Sequence, residues 1–292
     1  MFKGAITAIV TPFLENEEID ESSLRNFINF QIENGIDGIV PCGTTGESPT
    51  LNHEEHNRVI ELTIDIANGR VPVIAGSGSN STNHAIEMTK KALDLGANAS
   101  LQVCPYYNKP TQEGLFRHFS AIANAVDIPL IIYNIQGRTG INLETATLAR
   151  LAKEHSNIIA VKEASGNMPQ MMDVINTLPK NFTVLCGDDN LTLPLMSLGG
   201  KGVISVASNI IPKEMHELTE FASNGDFQNA MRLHYQLLPL FKGIFIETNP
   251  IPIKAALAMK GLVKEVYRLP MCEMKQENKE KLKQILDNLK LL

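Results

Sequence analysis

The chain has no apolar run long enough to cross a bilayer, no excess of basic residues and only four cysteines in 292 residues. Each shortage excludes something. A spanning helix needs about 20 consecutive apolar residues, so no membrane partner is expected. Lys and Arg number 26 against 32 Asp and Glu, a net charge of -6 with the signs mixed. No basic patch or stripe follows from such a pattern, and nucleic acid is not an expected partner. Cys42, Cys104 and Cys186 lie in or at the end of apolar runs without the close spacing of a metal site, and only Cys272 stands in a loop-like stretch. Cys42, Cys104 and Cys186 read as buried free thiols of a reducing compartment. The N-terminal MFKGAITAIVTPF has one lysine and a short apolar run, but Pro12 and ENEEIDE follow where a signal-cleavage site would be needed. The expected location is the cytoplasm. Flexible linkers, repeat arrays and low-complexity segments are also lacking, and 43% hydrophobic with 20% charged residues is the composition of a globular chain able to bury one large core or two modest ones.

What is present is an alternation. Short apolar or β-branched runs occur at 4–10, 38–42, 71–76, 99–104, 129–134, 158–162, 182–187 and 202–208, and they read as strands. Between them stand segments such as ESSLRNFINFQIEN, EEHNRVIELTIDIAN, NHAIEMTKKALDL and LETATLARLAKEH, each with an apolar stripe at helical spacing. Gly35, Gly69 and Gly96 follow three of them, where a left-handed cap is wanted. Asn52 and Glu55 have the spacing of a capping box. Near-continuous apolar strands alternating with helices demand a parallel sheet covered by helices. Eight such units within residues 4–208 predict a closed (β/α)8 TIM barrel. An open doubly wound sheet competes, but no G-x-G-x-x-G stands at the first strand–helix turn. Only helical pattern remains after residue 209, which predicts a barrel over 1–224 and a C-terminal helical domain over 225–292.

A barrel of this kind carries its chemistry at the C-terminal ends of its strands, and unusual polar residues do follow the apolar runs. Strand 1 leads to Thr11 and Pro12, strand 2 to GTTGES (43–48), strand 4 to PYYNKP (105–110), and strand 5 to Tyr133, Asn134 and GRTG (137–140). Strand 6 ends in Lys162, strand 7 in GDD (187–189) and strand 8 in Ser208 and Asn209. By itself, Lys162 in IIAVKEASG has a bland reading, a side chain stretching past the strand end to water. At the top of a barrel it becomes an amine held in a dry pocket, able to attack a ketone and give a protonated imine. The imine is an electron sink for the adjacent carbon, and it supports carbon–carbon bond chemistry without a metal. Proton transfers along that route suit a phenol linked through threonine hydroxyls to another phenol, as Tyr133, Thr44 and Tyr107 could be. A keto-acid carboxylate suits the backbone N–H groups of GTTGE, and Arg138 can grip a second carboxylate with its two-pronged guanidinium. Taken singly, Thr44 and Thr45 could merely shape a turn, Tyr133 could be a core tyrosine and Arg138 a surface ion-pair partner. Joint placement at one barrel end favours the functional reading. Asp188 and Asp189 lack a third ligand for a metal and are read as a helix cap.

GTTGES, PYYNKP, YNIQGRTG (133–140) and VKEASG (161–166), in order and spacing across essentially the whole chain, resemble the dihydrodipicolinate synthase family of pyruvate-dependent Schiff-base aldolases. The resemblance implies a lyase of the class I aldolase type that condenses pyruvate with L-aspartate 4-semialdehyde to 4-hydroxy-tetrahydrodipicolinate, in the diaminopimelate route to lysine. It also implies no cofactor. By matching position, Lys162 would form the imine, Thr45 and its turn would hold the pyruvate carboxylate, and Tyr133 would move protons through Thr44 to Tyr107 of a neighbouring subunit. Arg138 would receive the aldehyde's carboxylate, and Gly187 and Ile204 would line the pocket. A borrowed Tyr107 requires at least a dimer, and the family implies a homotetramer built as a dimer of dimers.

Two departures from the family pattern carry expectations. Gln136 stands where the family usually has proline; losing that restriction is expected to loosen Arg138 and weaken aldehyde binding. A lysine-feedback site in inhibited members matches Ser48, His53, His56, Asn80 and Tyr106, together with an acid where this chain has His84. An imidazole there does not pair with a lysine ammonium, so weak or absent feedback is expected. Read without the family, His53 and His56 would simply be a solvated helix start. N-acetylneuraminate lyases and keto-deoxy sugar-acid aldolases share the lysine and tyrosine chemistry, but the lyases usually carry GSTGE and a threonine soon after the lysine, whereas this chain has GTTGE and KEASG. A non-catalytic keto-acid-binding barrel would need a damaged centre, and Lys162, Tyr133, Thr44 and Tyr107 are all intact.

Overall fold

In the computed structural model, which describes residues 2–292, every one of the apolar runs contains a strand: β1 (Gly4–Ala8), β2 (Gly38–Val40), β3 (Ile74–Gly76), β4 (Ala99–Val103), β5 (Leu130–Asn134), β6 (Ile158–Glu163), β7 (Thr183–Cys186) and β8 (Gly202–Ser205). They pair in parallel in the order β2-β1-β8-β7-β6-β5-β4-β3, and the ends of that row meet through a parallel bridge between Ile39 and Val73. The sheet therefore rolls into a (β/α)8 barrel. The helices α1 (Glu21–Glu33), α2 (His53–Ala67), α3 (Thr82–Leu95), α4 (Gln112–Ala125), the single turn α5 (Gln136–Thr139), α6 (Thr145–Glu154), α7 (Met168–Thr177), α8 (Thr192–Ser197) and α9 (Pro212–Ser223) connect and cover it. Three more, α10 (Phe227–Gly243), α11 (Ile251–Met259) and α12 (Gln276–Asn288), follow.

Local chemistry sets the helix ends. The Asn52 side chain accepts the Glu55 N–H at 2.9 Å while the Glu55 carboxylate accepts the Asn52 N–H at 3.0 Å, a complete capping box for α2. Gly35, Gly69 and Gly96 all have positive φ, as expected after α1, α2 and α3. Asn68 also turns left-handed, so α2 stops one residue earlier than its apolar stripe suggests.

Side-chain alternation along the strands divides the apolar residues into two clusters. Ile6, Ala8, Ile131, Tyr133, Ala160, Leu185 and Ile204 fill the barrel interior. Ile132, Val161 and Val184 face outward into the larger core beneath the helices. Leu237, Leu240, Leu257, Leu282 and Leu286 of α10–α12 belong to that outer core, so the C-terminal helices pack as a continuation of the helical shell. β8 is shorter than its apolar run for a definite reason. The buried Asp189 carboxylate accepts hydrogen bonds from the Ser205 hydroxyl and the N–H groups of Val206 and Ala207. Those amides are thereby withdrawn from the sheet and turned into the short 3₁₀ turn Ala207–Asn209. Asp189 is thus a cap, for the turn after β8.

Removing the side-chain half of the α2 box by Asn52→Ala, which leaves the Asn52 N–H bond to Glu55, is expected to cost about 1 kcal/mol, read as a lower midpoint of chemical denaturation; an unchanged midpoint would show that the Asn52 side-chain bond contributes nothing.

Candidate active site

Residues two apart on a strand share a face, so Ala160, Lys162 and Ala164 point into the barrel while Val161 and Glu163 point out. Lys162 is 5% exposed. Its register partner on β5 is Tyr133, and this pairing brings the Lys162 Nζ to 4.2 Å from the tyrosine ring centre. Among the described residues no carboxylate oxygen lies within 4.0 Å of that nitrogen and no group accepts a hydrogen bond from it. The other fully buried lysine, Lys254, is different: it is paired with Glu47 at 2.5 Å. Among the described residues, Lys162 is thus a buried amine without a counter-ion.

The outward neighbours hold this arrangement in register. Glu163 accepts from Asn134 Nδ2, Ser165 N–H and Gln170 Nε2, and Asn134 Oδ1 accepts the Leu143 N–H. These bonds tie the ends of β5 and β6 together directly behind Tyr133 and Lys162. Gly187, at the end of β7, leaves room for the lysine chain: a Cβ there would stand 2.4 Å from Ala164 Cβ and 3.1 Å from Lys162 Cε.

A cavity of about 40 Å³ is walled by Lys162, Tyr133, Gly187, Thr44, Thr45 and Arg138, together with Gly43, Asp188, Val206, Phe245, Asn249 and apolar residues of the barrel interior. The turn after β2 closes on itself, with Gly46 and Ser48 N–H donating to the Gly43 carbonyl and Glu47 N–H to that of Thr44. That leaves the successive N–H groups of Gly43, Thr44 and Thr45 without an acceptor among the described residues, an array suited to a carboxylate. Asn249 ties two parts of the wall together. Its Nδ2 donates to Thr45 Oγ1 at 3.0 Å, and its carbonyl accepts from Arg138 Nη2 at 3.0 Å. Gln136 opens α5, and the Ile135 carbonyl accepts the N–H groups of both Arg138 and Thr139. The loop that proline would restrict is held instead by this turn and by Asn249.

A second cavity, about 420 Å³, shares Thr44, Tyr133 and Arg138 with the first and extends to Ser48, His53, His56, His84 and Tyr106. His53 and His84 meet edge to face at 4.8 Å. Burial, and then the neighbouring His53 and His84, push the His56 imidazole below its ordinary range, against its bond to the Gly76 carbonyl. Asn80 lies outside the wall and donates to the Tyr106 carbonyl at 3.3 Å. Besides Asn80, two of the sequence-predicted residues are absent from both cavities. Ile204 lies in the apolar layer inside the barrel, and Val206 is the wall residue from that end of β8. Tyr107, 90% exposed with φ +72°, projects away from its own chain.

Asn249 and Phe245 are wall residues that the sequence did not point to, and Asp188 is one that it placed in a helix cap. Asn249 and Phe245 come from the connection between α10 and α11, which carries no strand-end signal to mark it. Asp188 corrects the helix-cap reading: Asp189 alone caps, and half-buried Asp188 faces Lys162. Burial and the adjacent Asp189 push the Asp188 carboxyl up to about 6, against the opposing pull of Lys162. No cluster of His, Cys, Asp and Glu able to hold a metal ion occurs among the described residues.

Between the ordinary value of 3.8 and about 6 the folded chain keeps a proton on Asp188 that the unfolded chain has lost. Stability from this group therefore falls as pH rises through that window. The Asp188→Asn variant should accordingly gain melting temperature over its parent at about pH 8 and show no such gain at about pH 4. The same difference at both pH values would mean that Asp188 titrates as an ordinary surface carboxylate.

Comparison with known proteins places this geometry. The family model described as the dihydrodipicolinate synthetase family matches residues 1–289. The 4-hydroxy-tetrahydrodipicolinate synthase of Syntrophus aciditrophicus (strain SB) is 57% identical over 292 residues, covering all of both chains. The structure of dihydrodipicolinate synthase from Aquifex aeolicus matches with a TM-score of 0.98 at 50% identity over 99% of each chain. That of the chloride-inhibited enzyme from Acinetobacter baumannii complexed with pyruvate matches with a TM-score of 0.98 at 46% identity over all of both. With its barrel, its buried unpaired lysine and its match to the family model from end to end, the chain belongs to the dihydrodipicolinate synthetase family.

Proposed function

We propose that this chain is a lyase that condenses pyruvate with L-aspartate 4-semialdehyde through an imine on Lys162, giving 4-hydroxy-tetrahydrodipicolinate for lysine and diaminopimelate biosynthesis. The observation that carries the reading is the inward, unpaired Lys162 amine, sharing one small cavity with Tyr133 and with three unengaged N–H groups. The relative from Syntrophus aciditrophicus bears the name of this synthase, and the Acinetobacter baumannii structure is described as a complex with pyruvate.

The pyruvate carboxylate sits against the Gly43–Thr45 amides, which sets the keto carbon toward Lys162 Nζ. Attack forms the carbon–nitrogen bond, and loss of the carbonyl oxygen as water leaves a protonated imine. Tyr133, directly opposite in the sheet register, removes a methyl proton to give the enamine. The enamine carbon then attacks the aldehyde, whose carboxylate is held by Arg138, and the new alkoxide takes up a proton from the phenol. Attack of the aldehyde substrate's own amino group on the imine carbon closes the ring and releases Lys162. Thr44 connects Tyr133 toward solvent, and Tyr107 completes the relay from a neighbouring copy. The exposure of Tyr107 and its absence from its own cavity support that assignment. The active form is thus a homo-oligomer, which we take to be a cytoplasmic tetramer.

Borohydride reduction in the presence of pyruvate should leave one stable reduced pyruvyl adduct per chain, on Lys162, and Lys162→Ala should leave none. An unmodified Lys162 in a folded preparation would overturn the reading. A coupled assay with aspartate semialdehyde, run beside cleavage assays for N-acetylneuraminate and sugar acids, identifies the second substrate.

We further propose that the larger cavity is the counterpart of the lysine-feedback site and responds weakly to lysine. His84 stands against His53 there, and two imidazoles offer an ammonium no counter-charge. Sub-millimolar lysine should leave the rate essentially unchanged, while His84→Glu should make the enzyme lysine-sensitive. Near-complete inhibition of the parent enzyme would contradict this.

A further inference from the structure

The turn that presents the three free N–H groups is bonded within itself by short-range backbone bonds, so its orientation toward Lys162 has to come from outside. Few contacts supply it. Thr11 Oγ1 donates to the Gly46 carbonyl at 2.7 Å, and Asn249 Nδ2 reaches Thr45. The remaining anchor is Glu47, the last residue of the turn, in the left-handed region at φ +54°. Its carboxylate turns away from the cavity and is almost fully buried. There it accepts Lys254 Nζ at 2.5 Å on one oxygen and the Arg268 N–H at 3.3 Å on the other.

Lys254 has no solvent exposure. Its ammonium lies 4.4 Å from the Phe13 ring centre and 5.3 Å from that of Tyr267, and among the described residues Glu47 is its sole anion. Burial pushes the lysine down and Glu47 opposes it. Arg268, from the same C-terminal region, pairs with Glu55 at 2.6 Å and donates to the Thr50 carbonyl at 2.9 Å. The chain just after the turn is therefore held by the same partner. Neither Glu47 nor Lys254 borders the cavity of Lys162, and the proposed chemistry uses neither.

Resting on the keto-acid reading of that cavity, we propose that Glu47 and Lys254 are positioning residues for substrate binding. Their buried ion pair sets the angle at which the Gly43–Thr45 amides meet the keto-acid carboxylate. The segment following α10 is on this account part of the binding apparatus, although it lies outside every barrel strand. The expected consequence is selective: losing the pair weakens capture of pyruvate and leaves the amine able to react once pyruvate is bound.

The test measures the pyruvate concentration that half-saturates borohydride trapping on Lys162, in the intact chain, beside the melting temperature. Removing one charge leaves the other buried and unpaired, which destabilises the fold. The decisive variant is therefore the double change Glu47→Gln with Lys254→Met, which leaves no unpaired charge. It should fold, reach one adduct per chain at saturating pyruvate, and need at least tenfold more pyruvate for half-saturation. The proposal fails if the double variant traps pyruvate at the parent concentration: with a lowered melting temperature the pair is merely structural, and with the parent melting temperature it is dispensable. Failure to fold in the double variant would likewise overturn it, by showing that the pair is required for the barrel itself. Absence of any adduct in the parent chain would overturn the functional reading, a result distinct from both.

Discussion

The site depends on an amine that the fold holds in the interior and leaves without a counter-ion. Protein interiors rarely tolerate this, because a lone charge removed from water is costly and is normally matched by an opposite one. The chain contains the normal solution as well, in the pairing of Lys254 with Glu47. The two buried lysines differ in that Lys254 has a counter-ion and Lys162 has none among the described residues, the difference on which the proposed role of Lys162 rests.

Strand geometry produces that contrast at low cost. On β6 the inner face carries Ala160, Lys162 and Ala164, so the lysine is flanked by small side chains, and Gly187 on the adjacent strand end removes the last obstruction. The outer face carries Glu163, whose carboxylate is occupied by Asn134, Ser165 and Gln170. One residue of register separates the two groups, which places the nearest acid in sequence on the opposite side of the sheet from the amine. The same register on β5 sets Tyr133 beside Lys162 and Asn134 beside Glu163. Slipping either strand by one residue would turn its inward residue out and its outward residue in, parting Lys162 from Tyr133.

Much of this was legible in the chain because periodicity encodes it. Short, near-continuous apolar runs identify strands, strict alternation with helices identifies a barrel, and a barrel states in advance that strand ends carry the chemistry. Lys162, Tyr133, Thr44, Thr45, Arg138 and Gly187 all stand at such ends, and all border one cavity. Asn249 was not legible, since it comes from a connection between two C-terminal helices that no periodicity assigns to the site. Asp188 and Asp189 looked equivalent as neighbours. Adjacent residues at a strand end point in opposite directions, and in the fold one caps a turn after β8 while the other faces the amine.

The amino-acid sequence by itself determined the class of fold, the order of its elements and which strand ends carry reactive groups, because these follow from spacing along a single chain. Tertiary structure decided which of those groups face one another: which lysine has a counter-ion, which carboxylate of a pair is turned inward, which amides of a turn are left free, and that Tyr107 leaves its own cavity. Burial and pairing are properties of contacts between distant segments. Glu47 and Lys254, more than two hundred residues apart, meet only when the barrel is closed and the last helices have packed against it.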